Sequence, residues 1–102
     1  MRSVYLIQSK DSGLYKIGIS KNPKRRLNEL QTGNGEQLKI IHSFESEYPT
    51  LLETALHNRY SHVSKRGEWF YFDLDIEVNF LKECKILNDN IAFLKENNNP
   101  FI

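Results

Sequence analysis

Cysteine is almost missing from this sequence, which has one, Cys84, among 102 residues. A single cysteine excludes a disulfide within the chain and is typical of proteins from a reducing compartment. No apolar run approaches the ~20 residues that a helix needs to cross a bilayer. The first residues also lack the basic and apolar regions of a signal peptide. These absences predict a soluble cytoplasmic protein with no membrane partner.

An excess of charge of one sign is also lacking, because 14 Lys and Arg are balanced by 13 Asp and Glu, for a net charge of +1. The overall charge therefore does not indicate a nucleic-acid-binding protein. Phosphate binding depends more on clustered cations than on a large total charge. Two clusters are present, at Lys21, Lys24, Arg25 and Arg26 and at Lys65 and Arg66. Such a run is usually a solvated face, but it is also suitable for binding a DNA backbone.

The length and composition are those of one globular domain. The chain is near the common domain size, and 39% of its residues are hydrophobic and 12% aromatic, which is enough for one core. No repeat or linker interrupts it, so a single domain is predicted over residues 1–96. The polar tail at residues 97–102 is expected to be frayed.

Three segments have the alternation and composition of β-strands, at residues 3–9, 14–19 and 38–45,. The first two are joined by the sequence KDSG, in which Gly13 is free to adopt a positive φ. These two segments therefore form a predicted β-hairpin.

Three helices are predicted between and after these strands. Asn22 is a suitable N-cap for the first helix, Pro23 suits its first position, and Gly33 ends it,. The second helix is predicted within residues 47–63. The third begins at Asp75, and its buried face is predicted to carry Val78, Leu81 and Cys84 or Lys85,.

The order of these elements predicts the fold class. A short aromatic segment, GEWFYF, is expected to be a strand or an extended segment in which Trp69 closes the core beneath the second helix. The chain then reads β-β-α-β-α-(β)-α. This order predicts an α/β arrangement of the α+β kind, with a small three-stranded, mainly antiparallel sheet flanked by helices.

Five residues of the hairpin and the first two helices have a distinctive spacing. Tyr5 and Lys16 have ten residues between them, and Gly18 completes the triplet KIG. Arg26 follows Gly18 by eight residues on the first helix, and Glu53 lies on the second. This combination resembles the GIY-YIG endonuclease superfamily, and within it the compact phage-type members that are little more than the catalytic domain.

The resemblance covers about residues 4–72 and implies a GIY-YIG nuclease-like fold with metal-dependent DNA endonuclease activity. Tyr5 is then the candidate general base, Arg26 clamps phosphate oxygens, and Glu53 binds Mg²⁺ or Mn²⁺. No small-molecule cofactor is expected. Contacts to the DNA are expected from Gly18, Lys21, Lys24 and Arg25.

The same resemblance bears on specificity, assembly and location. No helix-turn-helix, zinc finger or other sequence-reading module fits into the remaining chain, so low intrinsic sequence specificity is expected. A single active site cuts one strand, and double-strand cleavage therefore needs either a homodimer or two successive visits. For a phage-encoded protein the expected compartment is the host cytoplasm.

Two positions depart from the family pattern. The second tyrosine of the motif aligns with Lys16, because Tyr15 lies on the opposite face of the strand and is predicted to belong to the core. Lys16 has three interpretations: a cation that lowers the Tyr5 pKa, a phosphate ligand, or a solvated strand lysine. Leu30 occupies the place where many members have a histidine, and it is predicted to be core.

Other interpretations remain open at this point. His57 lies one turn beyond Glu53, where it is either a catalytic helper that orients the carboxylate or a half-buried packing residue. The main rival to the nuclease is a catalytically inactive nucleic-acid-binding module of the same fold, with Lys16 as the sign of lost activity. A purely structural interaction domain requires the spacing of the motif residues to be coincidental.

Overall fold

The structure is a computed structural model that describes residues 1–97. It contains one sheet of five strands: β1 Arg2–Ser9, β2 Tyr15–Ser20, β3 Leu38–Ser46, β4 Ser64–Arg66 and β5 Trp69–Phe70. Three α-helices accompany it: α1 Pro23–Thr32, α2 Pro49–Arg59 and α3 Leu74–Glu96. Apart from Asn97, the tail predicted at residues 97–102 lies outside the described residues.

The central hairpin forms where the sequence predicts it. β1 and β2 pair in antiparallel register, and Gly13 in their connection has a φ of 75°. α1 also begins as predicted, because the Asn22 side chain accepts a hydrogen bond from the Arg25 backbone N–H at 3.1 Å. Gly33 caps its C-terminal end. These local signals act over a few residues and need no tertiary contact.

The predicted three-stranded sheet is wrong, although the α+β class holds. The sheet has five strands in the order β3-β1-β2-β5-β4, and each neighbouring pair is antiparallel. β4 and β5 form a second hairpin around Gly67, which has a φ of 60°. β5 lies within GEWFYF, the segment predicted to be a strand or an extended segment. β4 is too short to show an alternating pattern, and only its pairing with β5 reveals it,.

The two faces of the sheet bury different clusters, as the alternation along β1 requires. Val4 and Leu6 pack into the larger cluster, with α2 and α3. Tyr5 and Ile7 pack into a smaller cluster with Leu38 and the leucines of α1. The sheet therefore separates α1 from the other two helices.

The aromatic residues of β2 and β5 divide between these two faces of the sheet. Tyr15 is buried in the larger cluster, as predicted, and its hydroxyl donates a 2.5 Å hydrogen bond to Glu77. Trp69 does not lie beneath the second helix but packs on the α1 side, with Leu30. The correction follows from strand geometry, since Phe70 takes the opposite face and fills the larger core,.

The predicted buried face of α3 is correct at Cys84 but wrong at Val78 and Leu81. Val78 is 64% and Leu81 39% exposed, whereas Phe80, Cys84 and Ile91 are buried. α3 has two apolar stripes, and its packing against the sheet and α2 determines which one is covered. No helix in residues 1–97 is long and apolar enough to cross a membrane.

The second helix is shorter than predicted. α2 ends at Arg59, and a short 3-10 turn, Ser61–Val63, leads into β4. Tyr60 at the junction is buried against Phe72, with the two ring centroids 4.7 Å apart. The aromatic packing turns the chain here toward the second hairpin.

Candidate active site at the edge of the sheet

The Tyr5 ring lies over Gly18, its direct partner across the β1–β2 ladder. Tyr5 is only 2% exposed. A Cβ at position 18 would lie 2.9 Å from Tyr5 Cε1 and closer still to Cζ and the hydroxyl oxygen. Real Cβ atoms do not approach so closely, so the absence of a side chain at position 18 makes room for the tyrosine. Gly18 thus positions the Tyr5 hydroxyl.

Arg26 reaches this hydroxyl from the first turn of α1. Its guanidinium hydrogen-bonds to Glu29, with an Nη1–Oε2 distance of 3.3 Å, and lies close enough to the Tyr5 hydroxyl to affect its pKa. Burial raises the pKa of the Tyr5 phenol above its usual value of 10, while the polar contact and charge of Arg26 act in the opposite direction. Arg26 is 44% exposed, so it connects a buried phenol with the solvent.

Lys16 is not directly opposite Tyr5. Its cross-strand partners are Ile7 in β1 and Trp69 in β5. The Lys16 ammonium forms an ion pair with Glu68, which precedes β5. The cation that acts to lower the Tyr5 pKa is Arg26, and the idea that Lys16 does so stays a prediction.

Glu53 enters the same region from α2, on the opposite layer of the sheet. Burial raises the pKa of this half-buried carboxyl. The charges of His57 and Lys16 oppose the rise, and that of Glu68 adds to it. The charges of Glu68 and Glu53 also raise the pKa of Tyr5. Glu53 is thus close enough to share an electrostatic field with the hairpin residues.

His57 combines features of both of its interpretations. Its ring packs edge-on against Phe70, with centroids 5.1 Å apart. It is half-buried there and lies one turn after Glu53, whose pKa its charge lowers. A catalytic role for His57 stays a prediction.

The open side of this site follows from the short second hairpin. β5 pairs with β2 only at Tyr15 and Lys16. Residues 17–20 of β2 therefore lie at the edge of the sheet in the described structure. At this edge Ile19 and Ser20 are partly exposed, whereas Ile17 and Gly18 are buried.

Lys24 and Arg25, predicted to bind DNA, lie in the first turn of α1, and Lys21 lies just before it. Lys21 and Lys24 line a depression of about 360 Å³ in front of β1 and β3. Arg25 is exposed and pairs with Glu29, at an Nε–Oε1 distance of 3.5 Å. Lys65 belongs to β4, an edge strand of the sheet, and its Nζ lies 5.9 Å from the centre of the Tyr71 ring. The side chain of Arg66 falls outside what the structure describes.

The carboxylates of the site are too few to hold a divalent cation unless a substrate supplies further oxygen ligands. Within residues 1–97, no three or more His, Cys, Asp or Glu side chains are grouped so that they hold a metal by themselves. The charges of Glu53 and Glu68 nevertheless both raise the pKa of Tyr5, and the charge of Glu68 raises the pKa of Glu53. Mg²⁺ is commonly bound by one or two carboxylates, with phosphate oxygens and water completing its shell. The donor set fits this arrangement.

Sequence reasoning did not assign Glu68 to the site. It follows Gly67 in the β4–β5 turn, 52 positions from Lys16. Its place before Trp69 is visible in the sequence, but only the pairing of β5 with β2 brings it to Lys16. The sequence contains no local signal for such a contact.

Comparison with known proteins adds the family. A family model, described as the T5orf172 domain, matches residues 2–87. The chain belongs to the T5orf172 domain family. This is a phage-associated domain related to nuclease-type folds. Comparisons with curated proteins and with solved structures found no match. Membership of the T5orf172 family indicates a role of the nuclease or DNA-binding class.

Proposed function

We propose that this protein is a metal-dependent DNA endonuclease of the GIY-YIG type that hydrolyses phosphodiester bonds with low intrinsic sequence specificity. The observation that carries the proposal is that Arg26 and Glu53 both affect the pKa of Tyr5, whose ring packs over Gly18. These side chains come from β1, α1 and α2. A buried phenol beside a guanidinium, with a half-buried carboxylate in its electrostatic field, is an unusual set for a purely structural surface.

Each residue has a defined part in the proposed hydrolysis. The Tyr5 phenolate accepts a proton from the attacking water and becomes a phenol, and Arg26 stabilises the phenolate oxygen beforehand. The remaining N–H groups of Arg26 donate to phosphate oxygens as negative charge develops on them. Glu53 would hold Mg²⁺ or Mn²⁺, which supplies charge neutralisation and a more acidic water when bound.

The basic turn of α1 supports DNA as the partner. Lys24, Arg25 and Arg26 occupy the first turn of this helix, which has no acidic residue. The helix dipole makes cations unfavourable there by about 0.3–1 kcal/mol each. Both the helix dipole and the cations attract phosphate. Cations at the start of α1 therefore lower the stability of the helix but favour binding to a nucleic-acid backbone.

The proposed function extends to the assembly, the specificity and the location of the protein. One site of this kind cuts one strand, so double-strand cleavage takes a homodimer or two visits. Low specificity follows because phosphate contacts position a duplex without reading its sequence. In a phage-infected cell, the proposed compartment is the host cytoplasm.

Plasmid nicking tests the proposal. Supercoiled plasmid is incubated with Mg²⁺ or Mn²⁺ and the wild-type protein, or with Tyr5→Phe, Arg26→Ala or Glu53→Gln. We expect metal-dependent nicking by the wild type and a loss on the order of 10²-fold or more in each variant. Two matched controls, Tyr71→Phe and Glu47→Gln, change exposed side chains away from the site and are expected to nick normally.

A second candidate is the inactive nucleic-acid-binding module. Two observations favour it: Lys16 is paired with Glu68 rather than with the tyrosine, and burial raises the Tyr5 pKa. This candidate predicts tight, salt-sensitive binding without cleavage of duplex, single-stranded or branched DNA. It also predicts that Lys16→Tyr, which restores the family residue, creates nicking, whereas the nuclease proposal predicts that Lys16→Tyr brings no gain.

A further inference from the structure

Trp69 lies between two cavities on the α1 side of the sheet. One, of about 290 Å³, adjoins the candidate site through Lys16 and is closed by Leu30 and Leu38. The other, of about 240 Å³, is bordered by Lys65. Trp69 and Asn34 belong to both cavities. We call the two together the Trp69 groove.

The groove combines an aromatic and aliphatic lining with cations at its ends. Two carboxylates also border it, but both are engaged. Glu29 pairs with Arg26, and Glu36 accepts a hydrogen bond from the Ser9 hydroxyl at 2.6 Å. The groups that can attract a ligand are the half-buried Trp69 ring and the two lysines. Lys16 is ion-paired with Glu68, so a phosphate would bind there in place of that carboxylate. This is the chemistry of a planar, apolar ring system attached to an anion.

We propose that the Trp69 groove is a subsite for one nucleobase that has left the helical stack beside the cleaved phosphate. The inference rests on the proposed nucleic-acid function and specifies the form of DNA that the site prefers. Bases stack on aromatic side chains, and phosphates bind to neighbouring cations. Lys16 Nζ lies 5.8 Å from the centre of the Trp69 ring, so one residue pair offers both interactions to a single nucleotide.

The size and polar groups of the groove agree with a single base. Each cavity is smaller than the ~300–1,000 Å³ of common sites for drug-sized ligands. The Asn34 side-chain oxygen accepts a hydrogen bond from the Glu36 backbone N–H at 2.8 Å, which fixes the amide. The amide nitrogen carries two N–H donors, which suit the carbonyl or ring-nitrogen acceptors of a base edge.

The consequence is a preference for DNA with an unpaired base. A base inside a duplex pays unstacking and unpairing free energy to leave, and a bulged or single-stranded base pays the least. Bulged and branched DNA are therefore expected to bind better than perfect duplex. The α1 cations contact the backbone of all of them alike.

Intrinsic fluorescence tests the proposal directly, because Trp69 is the only tryptophan in the sequence. The wild-type protein is titrated, in a buffer with EDTA to prevent cleavage, with three probes. These are a short duplex carrying one unpaired adenine, the same duplex fully paired, and the bulged duplex with an abasic unit in place of that adenine. We expect strong quenching by the adenine bulge and little by the other two probes.

Affinity measurements on dye-labelled DNA complete the test. We expect Trp69→Leu to weaken binding of the adenine bulge on the order of 10-fold and to leave the paired duplex unchanged. Trp69→Phe keeps an aromatic face and should retain most of the affinity. Phe93→Leu is the matched control, since Phe93 is 64% exposed and lines neither cavity, and it should bind like the wild type.

The outcomes separate this proposal from the proposed function. DNA binding without a change in Trp69 fluorescence overturns the base subsite while nucleic-acid binding stands. Equal quenching by the abasic and adenine probes also overturns it, because no base is then needed. If no probe binds at all, the base subsite is overturned, and plasmid nicking decides separately whether the protein is a nuclease.

Discussion

At the scale of single residues, Tyr5 and Gly18 form the unit on which the candidate site depends. The tyrosine ring occupies the volume that a side chain at position 18 would need. Arg26 then anchors the hydroxyl that this packing positions. Two mutually dependent residues on neighbouring strands thus determine where the phenol oxygen lies.

We expect Gly18→Ala to impair both stability and any nuclease activity. The added Cβ overlaps the Tyr5 ring, and overpacking of this kind typically costs about 1–3 kcal/mol of unfolding free energy. Urea denaturation and plasmid nicking measure the two effects. Gly35→Ala is the control, because a Cβ at Gly35 meets nothing within 4 Å. An unchanged unfolding free energy in Gly18→Ala would show that Tyr5 moves aside without cost.

The pH dependence of nicking follows from the ionisation of Tyr5. Burial raises the pKa of this phenol above 10, so the phenolate is a minor species below that pH. Its fraction grows about tenfold for each pH unit on this limb. We therefore expect the nicking rate at saturating Mg²⁺ to rise with pH from neutrality upward. In Tyr5→Phe the residual rate should lose this dependence, and an equal slope in both proteins would exclude Tyr5 as the base.

At the scale of secondary-structure elements, α1 and the β4–β5 hairpin share the work of building the site. α1 presents Arg26 and a basic first turn on one face of the sheet. The β4–β5 hairpin brings Glu68 to Lys16 and then ends, which leaves residues 17–20 of β2 at the edge. A longer β5 would pair along this edge and cover the backbone beside Gly18.

We expect Lys24→Glu to change stability and DNA affinity in opposite directions. An acidic residue in the first turn of α1 interacts favourably with the helix dipole and should raise the unfolding free energy by about 0.3–1 kcal/mol. The loss of a phosphate contact should weaken DNA binding and reduce the slope of log affinity against log salt by about 1. Lys82→Glu, an equal charge change at an exposed position of α3, is the control. A parallel loss of affinity there would indicate that only net charge matters.

At the scale of the whole molecule, three buried acids from different elements titrate abnormally. Burial raises the pKa values of Tyr15 in β2, Tyr60 after α2 and Cys84 in α3 to about 12. Glu77 contributes to the shift at Tyr15 through its hydrogen bond. Each group keeps its proton in the folded protein at a pH where the unfolded chain has lost it.

The free energy of unfolding should therefore fall in alkaline solution. The stabilisation from these protons is complete below the unfolded pKa values of ~8.5–10 and is lost progressively as the pH rises toward ~12. Urea denaturation near pH ~8 and near pH ~11 measures the loss. Tyr60→Phe removes one titrating group and should reduce it. A wild-type unfolding free energy that stays constant over this range would contradict the prediction.

The parts of the fold that sequence reasoning found share a short range of interaction. The Asn22 cap and the Gly13 turn depend on atoms a few residues apart, so the residue type carries the information. The second hairpin as a unit is not predicted, because β5 is stabilised by pairing with β2, and β4 by pairing with β5, rather than by their own patterns. The buried stripe of α3 was misjudged because two stripes exist and the packing partner selects one.

The sequence alone determined the order of the main elements, the α+β class and the spacing of Tyr5, Lys16, Arg26 and Glu53, because alternation, caps and motif spacing are local properties of the chain. Only the tertiary structure decided that Arg26 lies beside the buried Tyr5 hydroxyl and that Lys16 is paired with Glu68. These contacts join residues far apart in sequence, and their electrostatic effect depends on burial, which no single segment encodes.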